Sequence, residues 1–141
     1  MDQSEANDYA ARGAALLDRE CNGWLAMINL ARLYMADERL CILGQAYAEE
    51  ASPDCDCCEP NGYSWGMHEL GNPGNEYGFN GAFATLALLD TAWKALITAR
   101  RFAVVQQLSA AGWRLSRDSL TMLSPTGETH EISADIAPRV F

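Results

Sequence analysis

A mainly helical body followed by a small α+β unit is the fold class this sequence predicts, on three observations. In Thr85 to Arg101, Leu86, Leu89, Trp93, Leu96 and Ile97 recur at helical spacing and form one apolar stripe. Beyond Gly112, Trp113–Arg117, Leu120–Ser124 and Glu128–Ser133 are short runs with turn signals between them, Asp118-Ser119 and Pro125-Thr126-Gly127, the pattern of a three-stranded antiparallel meander. At 49% apolar residues, a 141-residue chain can bury a core without obligatory disulfides or metals.

Taken in order, Asp2 to Asp8 reads as frayed. A first helix is expected from about Asn7, capped by Asn7 or Asp8 and ended near Gly23. Trp24 to Leu30 is apolar nearly throughout and fits either a short helix or a buried extended link. Asp37 is a good N-cap for a helix over Glu38 to about Glu50, in which Gly44 permits close approach of another element, expected to be the Trp93 helix. Residues 51–62 are a loop broken by Pro53, Pro60 and Asn61-Gly62. Tyr63 to Leu70 is one short helix or an aromatic loop, and Gly71 to Asn75 is a turn. The Trp93 helix is expected to end near Arg101, with Asp90 paired to Lys94, and with Lys94, Arg100 and Arg101 complementing its C-terminal dipole. A further short helix, Phe102 to Ala111, precedes the strands. The expected domains are a body over 1–101, holding a Cys/aromatic loop region at 51–83, and an extension over 102–141.

Charge is placed unevenly. Residues 1–76 carry fourteen acids against four arginines, within a net charge of −9 for the chain. That balance opposes nonspecific nucleic-acid binding and favours partners with basic surfaces. No apolar run reaches the ~18 residues a membrane span needs, and the polar, acidic N-terminus is not a signal peptide. The expected compartment is the cytosol, where the five cysteines are thiols or metal ligands and not a disulfide framework.

A series of short pieces has the order and spacing of a known family. They are Gly23-Trp24, Ile28, Leu33, Cys41-Ile42-Leu43-Gly44-Gln45, Leu70-Gly71, Tyr77-Gly78-Phe79 and Ala92-Trp93-Lys94-Ala95-Leu96-Ile97 with Arg100-Arg101. From about Arg12 to Arg101 the chain resembles small accessory proteins of actinobacterial phages. The resemblance implies a phage protein made in the host cytoplasm, and implies no activity. Two departures are Glu38, where many relatives carry a second cysteine, and residues 52–62, which read as an insertion.

Three constellations could carry chemistry. Cys55, Cys57 and Cys58 with His68 are a candidate zinc set. Their spacing departs from the paired Cys-x2–4-Cys of zinc ribbons, and Asp54, Asp56 and Glu59 disfavour thiolate in the metal-free form. Cys41 with His68 or His130 would be a thiol–imidazole pair, but Cys41 falls on an apolar helix face. No catalytic residues are assigned. The segment Tyr63–Phe83 gathers aromatic and Met side chains among glycines, the composition of interface anchors. Tyr63, Trp65, Met67, Tyr77 and Phe79 are the expected partner contacts. The function expected is a non-enzymatic binder that modulates a host protein. A small zinc-binding module built on the cysteine loop is the alternative, and self-association is a second way of covering the aromatic loop.

Overall fold

The computed structural model describes residues 1–49, 61–116 and 121–131. Helices α1 (Gln3–Glu20), α2 (Trp24–Met27), α3 (Ile42–Ala46) and α4 (Gly62–Glu69) are followed by a short 3-10 helix (Asn75–Tyr77) and the long α5 (Phe83–Ala110). Strands β1 (Arg114–Leu115), β2 (Thr121–Leu123) and β3 (Thr129–Glu131) complete the order. The architecture is mainly helical with a C-terminal three-stranded antiparallel sheet, as the sequence predicts. Contacts divide the chain into two compact units, Met1–Lys94 and Ala95–Phe141, with the division inside α5.

In the first unit, α1 begins four residues earlier than its sequence suggests. The Asp2 carboxylate accepts from Glu5 N at 2.8 Å and caps the helix, where Asn7 or Asp8 was the expected cap. Asp2 and Glu5 have the spacing of a capping box, and residues 3–8 are helical where fraying is expected. The buried face of α1 is Ala6, Ala10, Gly13, Ala14 and Leu17. Small residues there let other elements come close. A Cβ on Gly13 would collide with the Tyr77 carbonyl and lie 2.8 Å from the Trp93 ring.

Trp93 is the centre of this core. It is fully buried, and its indole Nε1 donates to Gly78 O at 2.8 Å, so its polar edge is satisfied. Phe79 stacks on it at 5.8 Å between ring centroids, and Trp24 meets it edge-on at 6.0 Å. Trp24 in turn donates its indole N–H to the Asp18 carboxylate at 2.9 Å. The chain reaches Phe79 through Gly78, whose φ of 72° suits glycine and ends the 3-10 helix.

The Trp24–Leu30 ambiguity resolves as a short helix, Trp24–Met27, continuing into extended backbone at Ile28. Residues 28–41 then form an irregular strap that buries Ile28, Leu33 and Met35. Side chains satisfy its backbone. Gln45 Oε1 accepts from Asn29 N at 2.6 Å, while Gln45 Nε2 donates to Leu40 O at 2.9 Å and Asn29 O at 3.3 Å. Asp90 Oδ1 accepts from Met35 N at 2.7 Å. The carboxylate expected to pair with Lys94 along the helix surface thus serves a strap amide.

α3 is shorter than expected and starts later. Asp37 does not cap it. Its carboxylate accepts from Arg39 N at 2.8 Å within a turn, and its carbonyl accepts from Cys41 N at 2.8 Å. Cys41 is the N-cap, with its sulfur accepting from Gly44 N at 3.3 Å. Gly44 is a close-approach position, but its neighbours are the backbone of Glu38 and Arg39 on one side and Gly62 of α4 on the other, not the Trp93 helix.

In the second unit, Val105 and Met122 are buried, with Phe102, Leu108, Trp113 and Leu115 packed around them. The helix expected to stop at Arg101 runs on to Ala110, so Lys94, Arg100 and Arg101 lie away from its C-terminus and their dipole argument lapses. The stop is Gly112, at φ 94°. Trp113 N donates to Leu108 O at 2.9 Å and Gly112 N to Ser109 O at 3.1 Å, the paired bonds of a Schellman ending. The two side chains such an ending brings together, Leu108 and Trp113, are members of this core.

Met122 pairs with Leu115 across one ladder and with His130 across the other. The expected Pro125-Thr126-Gly127 turn is present, closed by Ser124 N donating to Glu128 O at 2.9 Å. The expected Asp118-Ser119 turn lies outside the described residues.

Candidate interaction surface

α4 is the element on which most of the expected contact residues are placed. It is fixed at both ends. The Asn61 side chain accepts from Ser64 N at 2.8 Å at its start, and donates its own N–H to Glu38 Oε2 at 2.5 Å. At its end Asn72 N donates to Met67 O at 2.7 Å and Gly71 N to His68 O at 3.1 Å, with Gly71 at φ 75°, a second Schellman ending.

Its packing face has no side chains. Gly62 and Gly66 are four residues apart and both buried. Gly62 lies against the backbone of Gly44, and a Cβ on Gly66 would come within 2.7 Å of the Tyr47 ring. At 100° per residue, this glycine seam sends the other residues of α4 to two different flanks. Tyr63 and Met67 share one flank, and both are half-buried. Trp65, 39% exposed, stands on the other with the exposed Glu69 a turn away. The sequence-predicted contacts therefore do not form one patch.

Phe79 is buried at 3% exposure in the Trp93 core, and Tyr77 is half-buried with its carbonyl against Gly13. Burial pushes the Tyr63 phenol above its ordinary range, the nearby Cys41 and Glu38 charges add to the rise, and a hydrogen bond with the Asn80 side chain opposes it.

The Tyr63–Asn80 contact ties α4 to the segment that leads into α5. Three residues past Asn80 is Phe83, which chain length keeps within about 11 Å of it, Cα to Cα. Phe83 is 81% exposed, more than any other large apolar residue described. Sequence reasoning counted it among the aromatics of the loop but not among the contacts. Spacing did not reveal it: Phe83 lies in the first turn of α5, three residues before Leu86 and at the border of the apolar stripe, so its exposure comes from its place at the helix start.

Cys55, Cys57 and Cys58 lie outside the described residues. Their proposed companion His68 is exposed in the last turn of α4. Among the described residues, no three of His, Cys, Asp and Glu gather into a group that could hold a metal ion. Cys41 is 2% exposed, and burial pushes its thiol up to about 11, with Asp37 adding to the rise against backbone N–H groups that lower it. Such a thiol stays protonated at neutral pH and acts as a helix cap. His130 is exposed on β3.

Among the described residues no helix is long and apolar enough to cross a membrane. Between Arg39 and Lys94 the chain has eight carboxylates and neither lysine nor arginine, so α4 and Phe83 both lie in its longest cation-free stretch. Comparison with known protein families, with curated proteins and with solved structures finds no match. The pieces that carry the phage resemblance are largely core. Trp24, Ile28, Leu33, Phe79, Trp93 and Ile97 are all buried. A likeness carried by such residues concerns packing and leaves the exposed surface unaddressed.

Proposed function

We propose that the protein is a small acidic, non-enzymatic binder that engages a protein partner through the exposed aromatics of residues 62–83. In the setting its resemblance implies, it is a phage product acting on a host protein in the host cytoplasm. The observation that carries this reading is the exposure of Phe83 at 81%, in the first turn of a helix whose next turns are packed. Burying a phenylalanine contributes roughly 1.5–3 kcal/mol. A folded chain that leaves one in water has that contribution available for association. Trp65 supports the reading because α4 is immobilised at both caps, so presenting its indole costs little ordering on binding.

The test is photo-crosslinking in actinobacterial lysate, with a benzoylphenylalanine at position 83, 65 or, as control, the exposed Ala15 of α1. One protein should be captured from 83 and 65 and not from 15. Unlabelled wild-type chain should compete it away, and the Phe83→Ser/Trp65→Ser chain should not. Equal labelling from all three positions refutes the reading. A native mass spectrum with and without chelator checks the alternative, zinc on Cys55, Cys57, Cys58 and His68, and gives the subunit count.

A further inference from the structure

We infer that the partner presents a lysine- or arginine-rich segment to the Trp65 flank of α4. This rests on the reading above and adds the partner's chemistry. Residues 40–93 contain no basic side chain other than His68, and the described carboxylates Glu49, Glu69 and Glu76 are exposed. An anionic partner seated on Trp65 would have to bring its charge against Glu69 one turn away, with no lysine or arginine on α4 to neutralise it. That argues against a nucleic acid, whose affinity comes from phosphate neutralisation, and against an anionic bilayer. It also argues against a second copy, which would oppose one chain of net charge −9 with another.

A cationic segment fits. Trp65 and Glu69 are four residues apart on α4 and both exposed, so an indole and a carboxylate lie side by side. A guanidinium or ammonium seated over the indole can pair with the carboxylate in the same position. The arrangement is local to one helix that is pinned through its glycine seam, so the two groups keep their spacing when a ligand arrives.

The probe is a synthetic 15-residue helical peptide of lysine, arginine and alanine, with a glutamate–alanine peptide of equal length as its counterpart. Binding is measured by titration calorimetry on the full chain. The basic peptide should bind, and the acidic one should give no heat. Trp65→Ala and Glu69→Gln should each weaken the basic peptide about two- to fivefold. Glu20→Gln, an exposed change at the end of α1, should leave it unchanged. Circular dichroism confirms that each variant is folded.

Equal weakening by Glu20→Gln and Glu69→Gln would reduce the effect to diffuse attraction and overturn the inference. So would binding of both peptides alike, failure of the basic peptide, or a native mass spectrum showing a stable dimer. If crosslinking from 65 and 83 captures one protein through a segment without lysine or arginine, the inference fails while the binder reading stands. If it captures nothing specific, the binder reading itself fails.

Discussion

The Trp93 core and the α3–α4 layer are packed by opposite means. Around Trp93 a large side chain fills space that glycine clears, with Gly13 and Gly78 admitting the ring and its hydrogen bond. Between α3 and α4 the side of the seam that belongs to α4 carries no side chain: Gly62 meets Gly44 backbone to backbone, and Gly66 receives the Tyr47 ring. The first contact is strong because it removes a large apolar area from water. The second brings backbone against backbone at Gly44 and Gly62, and caps and turn bonds at both ends of α4 hold its geometry. The difference shows where sequence periodicity informs. A bulky stripe is visible in a sequence, whereas a seam made of absent side chains resembles a loop.

The largest effect that separates the two regions is expected from Trp93→Ala. It removes the centre of the aromatic cluster and leaves Gly78 O without its donor, so the loss should be about 3–5 kcal/mol in urea unfolding. A loss under ~1 kcal/mol would mean that the cluster is not the source of the first unit's stability.

Next is the pH dependence of Cys41. Its thiol is raised in the folded chain from 9.0 to about 11, so the protonated form is what folding favours. This contribution is fully present below about pH 9 and is lost as pH rises through about 11, at most about 2–3 kcal/mol in all. The Cys41→Ala chain should lack that part of the alkaline decline. A wild-type and variant that decline in parallel between pH 9 and 11 would show that the buried cap is not responsible.

Gly62→Ala tests the seam itself. A Cβ there meets the Gly44 backbone, which cannot rotate aside, and the expected cost is about 1–3 kcal/mol. Because α4 must move to accommodate it, the surroundings of Trp65 should change as well. Unaltered stability with unaltered Trp65 fluorescence quenching would mean that α4 is not seated where its glycines place it.

The smallest effect is expected from Phe83→Ser. With 81% exposure it should change stability by less than ~0.5 kcal/mol, while abolishing capture of the partner. A large destabilisation would show that Phe83 belongs to the core and not to an interface.

The fold class and the Trp93 stripe were legible because burial imposes a period on bulky residues. Helix ends were less so. Asp2 and Glu5 had the capping-box spacing, and the signal was present but outweighed by the expectation that chain ends fray. Cys41 and not Asp37 caps α3, and this was not legible because a thiol is a weak acceptor that cap preferences do not rank, while the Asp37 carboxylate is engaged by Arg39 N. The helix end at Arg101 rested on basic residues near a C-terminus, yet Val105 and Leu108 continue an apolar face with no breaker before Gly112. On the surface, composition identified the aromatic segment but could not sort its members. Phe79 and Phe83 are four residues apart, and only their placement around Trp93 and α5 makes one buried and the other exposed.

The Gln45 carboxamide has a consequence for chemical ageing. Its oxygen accepts from one strap amide while its nitrogen donates to two strap carbonyls, a division of roles that only an amide provides. Deamidation exchanges that NH2 for an oxygen and leaves a carboxylate facing the carbonyls of Asn29 and Leu40 with no proton between them. A mass change of one unit at one side chain would thus cost the strap its two bonds from the Gln45 nitrogen, and the shelf life of the fold becomes partly a question of amide hydrolysis.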